Sequence, residues 1–152
     1  MVREASFPIV SSNYDFSNTS LAGLIPPYLI LKKRGVRIGV MGINIQPRGL
    51  IAEAHYKGMK FLDPVKTANE MAVKLREEYR CDMVICLSHL GYIADRRLAE
   101  STRHIDLIIG GHSHTHMKQP AVLKNLDDKD VVVFQTNGRG VHVGRLDVQL
   151  SK

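Results

Sequence analysis

The order of apolar and polar positions along the chain predicts an α/β fold. Apolar or alternating runs typical of strands occupy residues 7–13, 28–31, 36–43, 83–87, 105–109, 131–135 and 141–150. Two helices are also predicted. The first begins at residue 63 and the second covers residues 94–101. Strand, helix and strand follow one another between residues 83 and 109, which predicts a βαβ unit with two neighbouring parallel strands.

The first helix has the clearest sequence signals. Asp63 is a typical N-cap residue and Pro64 suits the first helical position. Its apolar face consists of Val65, Ala68, Met71, Ala72, Leu75 and Tyr79. Charged residues occupy the other side, so this helix is predicted to cover a sheet and to carry no chemistry. Two hairpins are also predicted, one with its tip at Lys32-Lys33-Arg34-Gly35 and one turning at Asn137-Gly138.

Two of the predicted strands lead directly into histidine. Residues 83–87 continue as Ser88-His89-Leu90-Gly91, and residues 105–109, a run typical of a strand buried on both faces, continue as Gly110-Gly111-His112-Ser113-His114. The paired glycines predict a sharp turn. Parallel strands end at one edge of a sheet, where ligands collect in α/β folds. His112 and His114, two residues apart, are predicted to face the same way. Neutral imidazoles bind Zn, Mn, Fe or Ni, so His89, His112 and His114 are candidate metal ligands.

Other interpretations of the polar residues stay open. The histidines could simply be surface residues of a polar loop. Asp82 and Asp106 precede the two strands, at the ends opposite the histidines, and are predicted to be turn or solvated residues. Asp95 is predicted to be a helix-start residue and His116 a solvated loop residue.

Charge and composition narrow the classes of function. The 152 residues, enough for about one domain, carry a formal net charge of +6 at pH 7. Lys and Arg are scattered, apart from the run at residues 32–34, so no nucleic-acid partner is expected. An acidic partner bound through the basic surface stays open.

No membrane association is expected, because no apolar run approaches the roughly 20 residues of a membrane span. The first ten residues show no secretory signal. Cys81 and Cys86 are too far apart on one strand to form a disulfide.

The two histidine blocks, with their spacing, resemble the last two metal-ligand blocks of the calcineurin-like metallophosphoesterases. The 5′-nucleotidase and UDP-sugar hydrolase branch is the most similar. Supporting segments are Phe7-Pro8-Ile9-Val10-Ser11-Ser12-Asn13-Tyr14-Asp15, Gly39-Val40-Met41-Gly42-Ile43, Leu62-Asp63-Pro64, Gln135-Thr136-Asn137-Gly138 and Gly144-Arg145-Leu146-Asp147. The resemblance covers essentially the whole chain.

The resemblance implies a four-layer α-β-β-α sandwich with mixed sheets and two divalent metal ions, which could be Zn, Mn, Fe, Ni or Co. His89 and His112 would ligate one ion and His114 the other, and the reaction would be hydrolysis of a phosphate ester. The family's earlier blocks, D-x-H, G-D and G-N-H-[ED], do not occur here. Residues 1–152 are therefore expected to be the carboxyl-terminal half of the catalytic domain, without the upstream half or the nucleotide-binding domain.

Three hypotheses follow. The first is nucleotide hydrolysis by an incomplete catalytic half, which alone binds metal weakly and hydrolyses little, and for which no catalytic or substrate-binding residue can be named. The second is a non-catalytic module with a three-histidine metal site. The third is binding of an acidic partner. An uncovered apolar face could bind the upstream half or support a homodimer. Localisation is left open: relatives of this branch are often periplasmic or extracellular, and any signal would lie upstream of Met1.

Overall fold

The structure is a computed structural model that describes residues 2–150. Eight strands are present in this range: β1 (Tyr14–Asp15), β2 (Tyr28–Lys33), β3 (Val36–Asn44), β4 (Lys60–Phe61), β5 (Met83–His89), β6 (Leu107–Ile109), β7 (Ala121–Lys124) and β8 (Asp130–Phe134). Two α-helices are present: α1 (Pro64–Val73), which continues as a π-helical turn (Lys74–Glu78), and α2 (Tyr92–Glu100). Short 3₁₀ turns lie at Val2–Glu4 and Glu53–His55.

Six of the strands form one mixed sheet in the order β2-β3-β5-β6-β8-β7. The four central strands, β3, β5, β6 and β8, are parallel, and β2 and β7 pair antiparallel at the edges. The remaining strands, β1 and β4, form a separate two-stranded ribbon. The predicted mixed α/β architecture and the βαβ unit over β5, α2 and β6 are confirmed.

Both helices cover the same face of the sheet. The chain moves in one direction from β3 to β5 to β6, and right-handed crossovers then place α1 and α2 on one side. The core between them is continuous; its fully buried members are Met41, Ile43, Ala68, Ala72, Leu75, Val84, Cys86, Leu98, Ala99, Ile108, Val131 and Val133. The N-cap of α1 is as predicted, since Asp63 Oδ1 accepts a hydrogen bond of 2.7 Å from the Lys66 amide.

The opposite face of the sheet is apolar and largely open, and we call it the open face. Its residues line a cavity of about 550 Å³ and include Val36, Ile38, Met83, Ile85, Leu107, Ile109 and Phe134. Leu87 and Ile109 are 42% and 41% exposed on this face. The prediction that the strand containing Ile109 is buried on both faces is therefore wrong, because no helix of residues 2–150 covers this side.

The predicted strand at residues 141–150 is also wrong, although its alternation is real. Gly144, Leu146, Val148 and Leu150 face the cavity on the open face, but this segment has no strand to pair with in the described range. A strand needs a hydrogen-bonded neighbour, so the segment stays irregular. The hairpin predicted at Asn137-Gly138 is absent for the same reason.

The predicted strand at residues 7–13 does not form either. The carbonyl of Val10 lies only 2.5 Å from where a Cβ on Gly42 would stand, so the segment crosses over β3 instead of pairing along it. The side chain of Asn13 completes the contact: its amide donates to Asn44 O and accepts from Asn44 N, each at 2.8 Å. Within the predicted loop at residues 115–130, the structure adds edge strand β7.

Cys81 and Cys86 are free, as predicted, and both are buried. No helix in residues 2–150 combines the length and the apolar composition that a membrane crossing requires.

Arg76, on the π-helical turn, ties together the segments that precede β5 and β6. Its guanidinium donates to Cys81 O (2.9 Å), Asp82 O (2.7 Å) and His104 O (3.1 Å), and pairs with the Asp106 carboxylate. Asp106 also accepts from the Val84 amide at 2.7 Å. Asp106 lies outside the strands and its side chain is 40% exposed, as predicted for a solvated residue, but its carboxylate also links Arg76 to β5.

Replacing Arg76 with methionine is expected to lower the free energy of unfolding by about 2 kcal/mol, because several carbonyls and a carboxylate lose a charged donor. Urea unfolding monitored by circular dichroism measures this change. Arg103→Met is the control, since Arg103 pairs with Asp127 at the surface, where such a pair contributes about 0–1 kcal/mol. Equal losses in the two variants would contradict the role assigned to Arg76.

Candidate metal and phosphoester site

His89 and His112 lie together at one edge of the sheet. His89 is the last residue of β5, and His112 follows β6 by three residues. Because β5 and β6 are parallel neighbours, with Leu87 opposite Ile109, the two histidines meet. Their ring centroids are 5.2 Å apart, with the ring planes at 68°. His89 follows the side-chain alternation of Ile85 and Leu87, so it projects on the open face.

His114 lies at the same edge, against the turn that follows β8. A Cβ added to Gly138 would fall 2.6 Å from ring atoms of His114, so only glycine leaves room for this ring. Partial desolvation lowers the pKa of His89, and the imidazoles of His112 and His114 lower it further. The neutral imidazole, which is the form that binds metal ions, is thereby favoured at His89.

The glycines before His112 serve a different purpose from the one predicted. Neither Gly110 nor Gly111 has a positive φ; each instead allows a close approach. A Cβ on Gly110 would lie 2.3 Å from Asp95 Oδ2, and a Cβ on Gly111 would lie 3.0 Å from His89 Nδ1. The positive φ angles fall on the histidines, at +70° for His112 and +52° for His114. His112 and His114 are therefore not in the extended backbone that would direct both side chains the same way.

Gln135, directly after β8, contacts this loop and was not singled out from the sequence. Its side chain is 1% exposed. The amide donates to Gly111 O and accepts from Ser113 Oγ (2.9 Å) and from the Thr115 amide. A sequence signal did exist, since a glutamine that continues the buried run of β8 needs polar partners.

Asp95 lies behind the histidine edge, on the helix-covered face. It is in the first turn of α2, near the predicted helix start, but it is fully buried. One carboxylate oxygen accepts from Ser88 Oγ, and the other, Oδ2, has no hydrogen-bond partner in the described part of the chain. Burial raises the pKa of Asp95 to about 6, from an ordinary value of 3.8. Ser88 directly precedes His89, so the Asp95 carboxyl helps to hold the end of β5 from which His89 projects.

The raised pKa of Asp95 predicts a specific pH dependence of stability. Between pH 3.8 and about 6 the folded state binds this proton more tightly than the unfolded state, so the contribution of Asp95 is fully present below pH 3.8 and is lost as the pH rises through about 6. Wild type should thus lose on the order of 3 kcal/mol relative to Asp95→Asn over that range, given about 1.4 kcal/mol per pKa unit. Urea unfolding of both proteins at several pH values measures the difference. A constant difference would contradict the assignment.

The donor set does not make a complete metal site by itself. Within residues 2–150, no three histidine, cysteine, aspartate or glutamate side chains are arranged to hold an ion together. Imidazoles are suitable ligands for several divalent ions, but they carry no negative charge to offset the repulsion between two ions. The described histidines suit a single ion better than a pair of ions.

A depression of about 380 Å³ opens beside His89. Asn44, Ser88, Gly110 and Gly111 are among its lining residues. Asn44 is the register partner of His89 on β3, and its side-chain amide donates to Ser11 Oγ at 3.0 Å.

The other polar residues considered from the sequence lie outside this cluster. Asp82 accepts from the Arg37 amide at 2.7 Å, at the far end of the sheet. His116 is exposed, as predicted, and its ring lies 4.5 Å from that of His142.

The chain is similar in sequence and in fold to known phosphoesterases. The chain is 33% identical, over 93% of its length, to part of the trifunctional nucleotide phosphoesterase protein YfkN of Bacillus subtilis. It superposes on a 5′-nucleotidase precursor from Thermus thermophilus with a TM-score of 0.81 and 33% identity, over 88% of this chain. The crystal structure of the calcineurin-like phosphoesterase YfkN gives a TM-score of 0.65 and 29% identity, over 78% of this chain.

The chain belongs to the calcineurin-like phosphoesterase superfamily. Its relatives within that superfamily are 5′-nucleotidases and nucleotide phosphoesterases, as the sequence resemblance implied. No protein-family model matches the chain. The chain spans only 11% of YfkN and 29% of the Thermus thermophilus protein, so the activity of those whole proteins does not transfer to it directly.

Proposed function

We propose that this chain supplies one part of a metal-dependent phosphoester hydrolase that acts on nucleotides, with His89, His112 and His114 as its metal ligands. The observation that carries the proposal is the meeting of His89 and His112, 5.2 Å apart, at the carboxyl edge of parallel strands. The similarity to nucleotide phosphoesterases supports the choice of substrate class.

The residues of this chain would contribute binding and orientation. The lowered pKa of His89 favours its neutral imidazole, which is the form that can ligate a metal ion. Gly110 and Gly111 line the depression beside His89, where a phosphoryl group could approach the backbone. Divalent ions bound at such a site supply water activation and neutralise charge on the phosphoryl oxygens.

The missing acidic ligands would come from a second segment that covers the open face. His89 projects on that face, next to the exposed side chains of Leu87 and Ile109. A segment that buried this apolar surface would bring its own carboxylates beside the histidines. Residues 141–150 alternate as a strand does but have no strand beside them in the described range. Their backbone could pair with the same second segment.

The test uses the part of the Thermus thermophilus 5′-nucleotidase that precedes its match to this chain, added as a separate polypeptide. Hydrolysis of AMP to adenosine and phosphate, of UDP-glucose to UMP and glucose 1-phosphate, and of cyclic AMP to AMP is measured by chromatography in the presence of Mn²⁺, Co²⁺ or Zn²⁺. We expect little product from this chain alone and clear product from the mixture, lost with His112→Ala. Equal activity with and without the second polypeptide would contradict the proposal that the acidic metal ligands come from a second segment. Size-exclusion chromatography shows whether a second copy of this chain covers the open face instead.

A non-catalytic three-histidine metal module is the second candidate. The 5.2 Å separation of the His89 and His112 rings favours it, whereas the absence of any group of three such ligands within residues 2–150 counts against a preformed three-histidine site. One bound ion per chain, combined with no activity in the mixture, would support this candidate over the first.

A further inference from the structure

We propose that Gln135 is the positioning residue that holds the loop of residues 111–115 in the conformation that presents His112 and His114. The proposal concerns the shape of the loop, and it rests on the proposed function only for what the histidines bind. The hydrogen bonds of the Gln135 side chain in the described residues go to Gly111, Ser113 and Thr115 and not to an imidazole, so its effect acts through the loop.

The loop conformation needs support because it contains two left-handed residues. His112 and His114 have φ angles of +70° and +52°. Left-handed backbone costs an L-residue about 1–2 kcal/mol, although histidine adopts it several-fold more often than most residues. A conformation that carries this cost twice within three residues persists only when its surroundings fix it.

Gln135 supplies contacts at three points of the loop. Its Nε2 donates to Gly111 O, while its Oε1 accepts from Ser113 Oγ at 2.9 Å and from the Thr115 amide. These partners alternate with the two histidines along the chain. The contacts thus bracket both left-handed residues from one buried side chain.

Ser113 extends this network to the other histidine block. Its hydroxyl has one proton, which it gives to Gln135 Oε1, so Thr115 Oγ1 must donate in the 2.9 Å contact with Ser113 Oγ. The same Ser113 oxygen accepts from the Tyr92 amide at 3.0 Å. Tyr92 begins α2, three residues after His89, so Gln135 and Ser113 together connect both strand ends.

Only a side chain that donates at one end and accepts at the other can make all three contacts. Methionine has a similar length but a thioether in place of the amide, so it loses every contact. Glutamate keeps the acceptor for Thr115 but places an oxygen against Gly111 O. These two substitutions therefore separate the donor role from the acceptor role.

The test compares wild type, Gln135→Met and Gln135→Glu by NMR without added metal. In Gln135→Met we expect amide exchange at Thr115 to rise by about tenfold or more and the scalar couplings that report φ of His112 and His114 to change. In Gln135→Glu we expect Thr115 to stay protected. Asn125→Ala is the control: Asn125 is also buried and accepts two backbone amides, in the turn between β7 and β8, so its loss should affect stability without changing the loop.

Zn²⁺ titration by calorimetry supplies the second readout. Affinity is expected to fall by about tenfold in Gln135→Met, as is usual when a residue that orients metal ligands is lost. Unchanged exchange and couplings in Gln135→Met would overturn the proposal, whatever the metal does; if that variant does not fold, loss of Thr115 protection in Gln135→Glu would overturn it. An altered loop in a protein whose wild type binds no Zn²⁺ would support the positioning role and would contradict Zn²⁺ binding by the histidines of this chain alone.

Discussion

Replacing His112 with alanine is expected to lower the affinity for Zn²⁺ by about a hundredfold or more. Loss of a residue that merely orients a ligand costs about 10–100-fold, and loss of a ligand itself should cost at least as much. His112 is also the residue that places a second ring 5.2 Å from His89. Isothermal titration of the chain with Zn²⁺ measures the effect.

His104→Ala is the matched control for this prediction. His104 lies before β6, at the opposite end of the sheet, where its ring is 3.7 Å from Glu77. Its loss should leave Zn²⁺ affinity unchanged. If both variants bind Zn²⁺ as wild type does, or if both lose binding equally, His112 is not a ligand.

Replacing Gly110 with alanine is expected to lower the free energy of unfolding by about 3 kcal/mol, the upper end of the usual cost of overpacking. The added Cβ would stand 2.3 Å from Oδ2 of the fully buried Asp95, where the residue after β6 meets α2. The Asp95 carboxylate is also held by the hydroxyl of Ser88, which opposes its movement away from the added atom. Chemical unfolding measures the loss.

Gly49→Ala is the control, because it adds the same Cβ at a position where no neighbouring atom is close. Gly49 has a φ of +85° and nothing within 4 Å of the added Cβ, so its replacement should cost about 1 kcal/mol through backbone strain alone. Combining Gly110→Ala with Asp95→Ala should cost less than the sum of the two single losses, because the clashing carboxylate is gone. Strict additivity would show that the clash is not the cause.

The sequence predicted the elements that are determined by residues close together along the chain. The cap at Asp63, the hairpin tip at residues 32–35 and the strands leading into His89 and His112 all formed as expected. The meeting of the two histidine blocks also followed from βαβ geometry, because parallel neighbours must end at one edge.

What the sequence did not predict depends on neighbours distant along the chain. Residues 141–150 alternate as a strand does, but alternation cannot show whether a pairing partner exists. Gln135 and Asp95 looked like ordinary polar residues until β8 and α2 placed them beside the loop and beneath Gly110. Gly110 and Gly111 were predicted to allow a sharp backbone turn. In the fold, their lack of a side chain instead lets Asp95 and His89 lie close to the backbone.

Anomalous diffraction at the zinc edge, from crystals of the chain soaked in Zn²⁺, tests the central claim most directly. We predict a single strong peak at the end of β5 and β6, about 2.1 Å from ring nitrogens of His89 and His112. A peak at the exposed His116 and His142 pair alone, or no peak near His89 and His112, would contradict the assignment of these histidines as metal ligands.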